Sequence, residues 1–448
     1  MRKPAAGSRG PLSWNVWAMP RPTDVLAACG QEAVRKQPLR SSGTLWPGTS
    51  RAAPTIGSLV IAAASLAACS GGGATPSTSG PSSSVAARHS NVYTFGVVGT
   101  SGKVLQLEHT TPTLVSGITG TVVQIATSNS DSYALTSAGT VFAWGVGSSG
   151  QLGDGSTIDF MSVAVKVKFP AGVRITSLAN PMPYDGALVI DSRAEVWGWG
   201  VNSVHELCLP GTQPLLRPTR IPLTDVSLAT GAGLHSLFDS KGTVYACGSG
   251  AAGELGTGST SNRSTPTAVI GLPNGGVKAL TSSWKGSGAL MDGGAYYDWG
   301  FNHTGQLGDG TTVSSSLPVL VHLRAAVVEV SQGGSSRKNG QTLAMLADGS
   351  LWAWGNGQWG QLGDGRADNS LTPVPLRLPN GARATQVSSG GFSCYAVDTS
   401  GKLWAWGRNE FGQLGTGGSQ PTQLTPVSVG VVLTRVSSTA TNVAGYGG

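Results

Sequence analysis

The sequence predicts an all-β protein, a seven-bladed β-propeller built from tandem repeats. Glycine supplies 67 of the 448 residues and charged residues only 11%, which is typical of a compact chain with many tight turns. A short aromatic motif that ends in glycine returns six times, at spacings of 55, 48, 52, 55 and 52 residues. A glycine-rich loop around one leucine follows each motif. A sustained period near fifty residues indicates a propeller with one repeat per blade.

The aromatic motif predicts one strand in every blade. Its last residue is the reference glycine of the repeat: Gly145, Gly200, Gly248, Gly300, Gly355 and Gly407. The residue before it is Cys247 in one repeat and tryptophan in the others, namely Trp144, Trp199, Trp299, Trp354 and Trp406. A second aromatic residue lies two positions earlier. Because successive side chains in a strand point to opposite faces, the two share one face and are expected to pack between blades.

The glycine-rich loop predicts a buried apolar plug in every blade. Seven residues after the reference glycine, all six repeats have leucine: Leu152, Leu207, Leu255, Leu307, Leu362 and Leu414. Glycine occupies the fifth, eighth and tenth positions in five of the six repeats. Three glycines around one apolar side chain favour a tight loop that buries it.

This pattern, W-x-W-G followed by G-Q-L-G-D-G, resembles the repeat of the regulator of chromosome condensation family over roughly residues 90–447. The resemblance implies a seven-bladed propeller that binds protein partners. Nuclear members of that family act on chromatin and a small GTPase, and some secreted bacterial relatives bind and inhibit β-lactamases. The repeat around Gly200 departs from the pattern, because His205, Cys208 and Pro210 replace three glycines. We expect that loop to be reshaped.

The seventh blade is predicted to form from both termini. Residues 101–107 resemble residues 400–406 without the aromatic side chains, and residues 433–438 match the first strand of a repeat. A blade shared in this way leaves no free sheet edge. We therefore expect the propeller to span residues 89–448. Kelch-type propellers have the same period, but their Gly-Gly doublets precede the aromatic strand, and the doublets here are out of register.

The segment before the propeller predicts export and lipid attachment. Residues 56–68 form an apolar run that ends Leu66-Ala67-Ala68-Cys69, and thirteen residues are too few to span a bilayer as an anchor. The pattern resembles a bacterial lipoprotein box, in which Cys69 is lipidated. An ordinary signal peptide with a chance cysteine is the alternative. We assign residues 1–68 to the leader, although residues 1–50 are alternatively an over-extended gene start.

Residues 69–88 are rich in Ser, Gly and Pro and predict a flexible tether between the lipid and the folded body. A lipoprotein leader argues against a nuclear role. The expected location is extracytoplasmic, with the chain either lipid-anchored at the bacterial cell membrane or secreted.

Composition and motifs argue against several classes of function. Residues 1–68 hold eight basic and two acidic residues, so residues 69–448 carry a formal charge of only +1, and no nucleic-acid partner is expected. Three G-x-G-x-x-G matches, at residues 145–150, 248–253 and 355–360, are by-products of the repeat, since no helical period follows them. Neither metal-ligand spacing nor a nucleophile elbow appears. No metal, cofactor or catalytic residue is therefore predicted.

Several polar residues and cysteines have structural interpretations. Asp154, Asp309 and Asp364 recur in D-G turns, where bonds to the local backbone are the expected role. His235 matches the family's His-Ser position, and a structural hydrogen bond is expected. Cys247 and Cys394 lie in predicted strands and are interpreted as inert core thiols. No disulfide framework is predicted, although a single bridge between Cys208 and Cys247 stays open.

The favoured function is that of an envelope-tethered, non-catalytic scaffold that binds an unidentified protein and acts as a monomer. Blade packing occupies the strands of a propeller and leaves the loops of its two rims free to vary. The alternative is a propeller enzyme or a carbohydrate-binding surface protein, for which acidic or aromatic residues would have to cluster on one rim. A structural surface protein without a dedicated ligand is a third possibility.

The loops just after the reference glycine predict where a partner binds. These positions are small or polar in most repeats, but the last three repeats have larger side chains: Phe301, His303, Trp359, Arg408, Glu410 and Phe411. Consecutive blades are neighbours, so the six residues are expected to form one connected patch. Aromatic residues and arginine carry much of the binding energy at protein interfaces. The alternative is that Trp359 and Phe411 fold back onto adjacent loops.

Overall fold

A computed structural model describes residues 91–98, 107–336, 339–418, 420–439 and 441–447 of the chain. These residues form seven antiparallel four-stranded sheets arranged as the blades of a propeller, which confirms the predicted fold. Within this described part, one short 3₁₀ helix, η1 (Pro379–Gly381), is the only helix. The described residues include no helix that is long and apolar enough to cross a membrane.

The strands follow one another along the chain, four to a blade. The chain enters through β1 (Asn91–Val98) and β2 (Leu107–Leu114). Blade 1 contains β3 (Val122–Thr127), β4 (Asp131–Thr136), β5 (Val141–Val146) and β6 (Phe160–Lys166). Blade 2 contains β7 (Ile175–Leu178), β8 (Gly186–Asp191), β9 (Val196–Gly200) and β10 (Leu215–Arg220). Blade 3 contains β11 (Val226–Ala232), β12 (His235–Ser240), β13 (Thr243–Gly248) and β14 (Arg263–Ala268).

The later blades repeat this order. Blade 4 contains β15 (Val277–Ser282), β16 (Gly286–Met291), β17 (Tyr296–Gly300) and β18 (Ser315–Leu320). Blade 5 contains β19 (Val327–Ser336), β20 (Asn339–Leu346), β21 (Leu351–Gly355) and β22 (Ser370–Leu376). Blade 6 contains β23 (Ala384–Ser389), β24 (Ser393–Asp398), β25 (Lys402–Arg408) and β26 (Thr422–Val432). The last strands are β27 (Arg435–Ser438) and β28 (Asn442–Gly447).

Blade 7 is built from both ends of the propeller, as predicted. Its strand order is β2-β1-β28-β27, and β1 pairs with β28 in an unbroken antiparallel register from Asn91↔Gly447 to Gly96↔Asn442. The Thr94 hydroxyl also donates to the Val443 carbonyl at 3.2 Å. Because the chain's first strand lies between later ones, the ring of blades closes through ordinary sheet hydrogen bonds.

The antiparallel course of the strands gives the propeller two different rims. The loops between first and second strands, and the longer leucine-containing loops between third and fourth strands, lie on one side, which we name the glycine-loop rim. The hairpin turns between second and third strands and the connections between blades lie on the other side, which we name the hairpin rim.

Consecutive blades are joined by a repeated contact between tryptophan and a glycine loop. The indole Nε1 of Trp199 donates to the Gln151 carbonyl of the preceding blade at 2.8 Å. The same bond joins Trp299 to Glu254 (2.9 Å), Trp354 to Gln306 (3.0 Å) and Trp406 to Gln361 (2.9 Å). The repeat tryptophans and leucines named from the sequence are all 0–1% exposed. Each of these four tryptophans therefore contributes both buried apolar area and a satisfied hydrogen bond.

The glycine after each leucine explains why this contact tolerates little change. A Cβ at Gly256 would lie 2.8 Å from Nε1 of Trp299, and one at Gly363 would lie 2.7 Å from Nε1 of Trp406. Both glycines also have positive φ, 65° and 71°. The tryptophan of the next blade thus fills the space in which any side chain at this loop position would lie.

The interpretation of Cys247 as a free thiol is wrong, because Cys247 forms a disulfide with Cys208, with their Cα atoms 5.5 Å apart. Cys247 holds the tryptophan position of blade 3, and Cys208 holds the partnering glycine position of blade 2. The bridge therefore joins two blades at the place where other blades use tryptophan and glycine. Cys394 is a buried free cysteine, as expected.

The predicted leader, the lipidation site at Cys69 and the tether at residues 69–88 lie outside the described residues. So does most of the degenerate repeat at residues 101–107, since the description resumes at Leu107. The structure therefore leaves these predictions as they stand.

Candidate partner-binding site on the glycine-loop rim

Two glycine loops place Trp359 and Phe411 on the same rim of neighbouring blades. The glutamine that precedes each plug leucine bonds back to its own loop, two residues earlier. The Gln361 side chain accepts from the Trp359 backbone N–H at 2.8 Å, and the Gln413 side chain accepts from the Phe411 N–H at 3.0 Å. Because both glutamines are buried, they hold the loop backbone while the preceding aromatic side chains stay half-buried at the surface.

Arg408 joins these loops into one cluster. Its guanidinium carbon lies 4.7 Å from the centroid of the Trp359 ring and 5.2 Å from the centroids of Phe392 and Phe411. The same guanidinium forms an ion pair with the Glu410 carboxylate, with Nε 3.0 Å from Oε2. Rings from blades 5 and 6 thus surround one cation. We name Trp359, Phe392, Arg408, Glu410 and Phe411 the Arg408 cluster.

The Arg408 cluster exposes its aromatic and acidic members rather than its cation. Arg408 is only 7% exposed, whereas Glu410 is exposed and the Trp359 and Phe411 rings are half-buried. Each cation–π contact is worth about 0.5–2 kcal/mol. The Trp359 and Phe411 rings therefore pack against a neighbouring residue, as the alternative from sequence proposes, but that residue, Arg408, belongs to the predicted patch. The result is a pre-ordered aromatic surface.

Phe301 and His303 form a separate contact on blade 4. Their ring centroids are 4.3 Å apart, with Phe301 half-buried and His303 exposed. Within the described part of the chain, no ring contact or ion pair joins them to the Arg408 cluster. The structure thus brings together four of the six patch residues predicted from sequence and places the other two beside each other on the adjacent blade.

Sequence reasoning missed three aromatic residues of this rim. Phe392 completes the Arg408 cluster, and Tyr184 and Trp284 meet edge to face, with centroids 5.0 Å apart, at the mouth of the central channel. All three lie in loops between first and second strands. Those loops share the rim with the glycine loops, so scanning both loop families for large side chains would have found them.

The central channel is polar and is lined by the innermost strands. It encloses a cavity of about 360 Å³. The Gln124 side chain accepts from the Leu178 N–H of the next blade at 2.8 Å, and Gln386 accepts from the Val436 N–H at 2.9 Å. Glu329 occupies the equivalent place in blade 5, 3.6 Å from Arg435, and burial raises its carboxyl pKa to about 7. Gln124 and Gln386 therefore join consecutive blades around the channel, whereas the ion pair of Glu329 with Arg435 joins blade 5 to blade 7.

Two acidic residues of the glycine-loop rim, Asp131 and Asp185, have structural contacts. Asp131 is buried beside Asp185, and this burial, together with the charge of Asp185, raises the pKa of Asp131 well above its usual value. The Ser128 hydroxyl donates to the Asp131 carboxyl group at 2.8 Å, and the Ser130 hydroxyl donates to the Asp185 carboxyl group at 2.5 Å. Both serines lie in the loop between β3 and β4. The described residues contain no group of three His, Cys, Asp or Glu side chains that could hold a metal ion.

The turn aspartates and His235 have the structural roles expected of them. Asp154, Asp309 and Asp364 each accept from the backbone N–H two residues later, at 2.9–3.0 Å. His235 Nε2 lies 2.8 Å from the Ser287 hydroxyl of the next blade, and that hydroxyl donates to the Glu254 carbonyl. Burial lowers the pKa of His235 to about 4, so its ring is neutral near pH 7.

The chain is similar to several known proteins. It is 30% identical over 315 residues to the ultraviolet-B receptor UVR8 of Arabidopsis thaliana, a match that covers 69% of this chain and 70% of UVR8. It is 32% identical over 254 residues to the human E3 ubiquitin-protein ligase HERC2, covering 54% of this chain but only 5% of HERC2.

Solved structures share the fold. The crystal structure of human WBSCR16 matches with a TM-score of 0.69 at 20% identity, covering 80% of this chain and 99% of that one. The structure of Prp20p from Saccharomyces cerevisiae matches with a TM-score of 0.66 at 20% identity, covering 80% of this chain and 92% of that one.

The family profile of the regulator of chromosome condensation (RCC1) repeat matches residues 138–179, 241–290, 293–336, 348–397 and 400–444. A second profile of the same repeat matches residues 384–413. The interval between the first two matches contains the blade 2 loop in which His205, Cys208 and Pro210 replace glycines. With more than half of its residues matched, the chain belongs to the regulator of chromosome condensation (RCC1) repeat family.

Proposed function

We propose that this chain is a non-catalytic protein-binding propeller, held at the cell envelope through lipid on Cys69, and that its partner contacts the Arg408 cluster. The observation that carries the proposal is the packing of the Trp359 and Phe411 rings against the Arg408 guanidinium. Side chains that are already immobilised lose less entropy on binding, so more of their contact energy appears as affinity.

The use of the fold elsewhere supports a protein partner. Prp20p of Saccharomyces cerevisiae, which shares this propeller, binds Gsp1p and histones. The exposed chemistry of the Arg408 cluster, aromatic rings beside a carboxylate, suits a partner that presents apolar and basic side chains. The Cys208–Cys247 disulfide supports the proposed location, because disulfides persist in extracytoplasmic, oxidising surroundings and are rare in reducing ones.

We expect Trp359→Ala combined with Phe411→Ala to abolish partner capture. Affinity capture from envelope and secreted fractions with the full chain as bait should recover a partner that the double variant loses. A hot-spot aromatic residue contributes about 2 kcal/mol or more, so each truncation should lower affinity by about 30-fold and the pair by up to several hundred-fold.

The matched control for this capture is Trp352→Ala on the hairpin rim of blade 5. Trp352 also lies beneath an arginine, 5.3 Å from Arg324, which pairs with Asp348 at 2.7 Å. The control removes the same kind of side chain from the opposite rim and should leave capture intact. Equal capture by wild type and the Trp359/Phe411 variant would reject the glycine-loop rim as the binding surface.

The tethering half of the proposal predicts that Cys69 carries lipid. Cells fed a fatty-acid analogue should label the wild-type chain and not Cys69→Ser, and Cys69→Ser should move from the membrane to the soluble fraction. Cys29→Ser, a change at the other cysteine of the segment before the propeller, is the control and should label as wild type does. Equal labelling of wild type and Cys69→Ser would disprove lipidation at this residue.

A further inference from the structure

The hairpin rim carries most of the positive charge of the propeller. Twelve lysine and arginine residues and eight acidic residues of the described chain lie there. Five of the basic residues form ion pairs, Arg193, Arg220, Lys241, Arg324 and Arg435, and Lys402 lies over the Trp404 ring. The other six are exposed and make no ion pair within the described residues: Lys166, Lys168, Arg174, Lys278, Arg377 and Arg383.

The acidic residues of the hairpin rim do not balance this exposed charge. Asp191, Asp239 and Asp398 are buried, and Asp398 illustrates why: its carboxylate accepts from the Ser400 N–H and the Trp404 indole, both at 2.8 Å. Four more are held in ion pairs with the basic residues named above: Glu195, Asp225, Glu329 and Asp348. The eighth, Asp292, is exposed and makes no ion pair within the described residues, against six such basic residues. The charge presented to solvent by this rim is therefore predominantly positive.

The glycine-loop rim has the opposite character. Among the described residues, its exposed or half-exposed acidic residues are Asp154, Asp159, Asp185, Asp309, Asp364, Asp368 and Glu410. The solvent-accessible basic residues described on this rim are fewer: Arg217, Arg263, Lys285 and Arg366. The charges of the described residues are therefore separated between the two rims, and such separation orients a protein toward a charged surface.

The chain enters the propeller on the positive rim. Strand β1 begins at Asn91, which pairs with Gly447 at the end of β28, and both positions lie at the hairpin rim. Cys69 precedes Asn91 by 22 positions in the sequence. The proposed lipid attachment at Cys69 would therefore connect to the propeller at the hairpin rim.

We propose that the hairpin rim docks on an anionic phospholipid surface through its exposed lysine and arginine residues. Each lysine or arginine residue near an anionic bilayer surface contributes about 1 kcal/mol of attraction, so the six exposed basic residues of this rim favour docking. Docked in this way, the propeller presents the Arg408 cluster away from the bilayer. The inference extends the proposed tether at Cys69, but its test uses a chain that cannot be lipidated there.

Flotation of the full chain carrying Cys69→Ser with phospholipid vesicles tests the proposal. We expect binding to phosphatidylcholine vesicles that contain phosphatidylglycerol and none to phosphatidylcholine alone. Binding should fall between about 0.1 M and 1 M salt, as the screening length shortens from about 10 Å to about 3 Å. Equal binding to both vesicle types, or binding to neither, would overturn the proposal.

Two charge-reversal variants locate the docking surface. Lys166→Glu, Lys278→Glu and Arg377→Glu together should weaken vesicle binding on the order of 100-fold, since each basic residue near an anionic bilayer contributes about fivefold. The control, Arg263→Glu, Lys285→Glu and Arg366→Glu, makes the same change in net charge on the glycine-loop rim and should bind as wild type does. Thermal unfolding verifies that both variants fold.

Two results would reject the membrane as the target of this rim. Equal losses in the two variants would mean that net charge alone drives binding. Tight binding of duplex DNA with no flotation on anionic vesicles would instead assign the rim to nucleic acid, whose phosphates offer the same charge.

Discussion

Leu362→Ala is expected to lower the free energy of unfolding by about 2–5 kcal/mol, the usual cost of truncating a core leucine. Leu362 is 1% exposed and belongs to a buried cluster with Trp406 and Leu376. Its loop also supplies the carbonyl of Gln361 that Trp406 binds. Loss of the leucine would leave a cavity at the junction of blades 5 and 6. Chemical denaturation monitored by tryptophan fluorescence measures the change.

Leu371→Ala is the matched control, because Leu371 follows in the same blade but is 37% exposed on the outer strand β22. It removes the same atoms from a surface that water already reaches, so the expected loss is smaller by at least about 1 kcal/mol. A shift below about 0.5 kcal/mol for Leu362→Ala would show that the leucine is not a structural plug.

The fold was predictable because each blade repeats the same packing problem. A leucine, a glycine and a tryptophan recur in register because, at four blade boundaries, one tryptophan must fit over one side-chain-free loop. The closure of blade 7 was predictable as well, since a ring of sheets with unequal numbers of strands would leave an edge exposed. These are local constraints, and a single sequence displays them many times.

The candidate site was only partly predictable, because contacts between loops occur once. The sequence places Trp359, Arg408 and Phe411 after their reference glycines, but it does not show that Arg408 turns inward between them. It also hides Phe392, which comes from the other loop family of the rim. The charge separation was missed for a related reason: a net charge sums both rims, whereas a partner meets one rim at a time.

The Cys208–Cys247 bridge predicts the second large effect. Cys247→Ser is expected to cost about 2–5 kcal/mol of unfolding free energy, the usual loss for a native disulfide. The bridge spans 39 residues and replaces the tryptophan contact between blades 2 and 3. Reducing agent should destabilise the wild type by a similar amount and leave Cys247→Ser unaffected. Denaturation with and without reductant measures both, and a loss below about 1 kcal/mol would mean that the bridge contributes little.

The double change Cys208→Gly with Cys247→Trp tests whether the bridge is a substitute for the usual contact. The Glu206 carbonyl already accepts from the Ser236 hydroxyl and lies 3.7 Å from the Cys247 sulfur, and in blade 4 the equivalent carbonyl of Glu254 accepts from Ser287 and Trp299. The acceptor for a new indole is therefore in place. Cys208 also has a positive φ of 55°, which glycine adopts without strain.

The double variant should consequently be more stable than Cys247→Ser and insensitive to reductant. Cys247→Trp alone should lose about 1–3 kcal/mol through overpacking in addition to the loss of the disulfide, because the Cys208 side chain remains where the indole must lie. The order of stabilities is the decisive measurement. If the double variant is no more stable than Cys247→Trp alone, the two cysteines do not stand in for a tryptophan and a glycine, and this blade boundary is packed by different rules from the others.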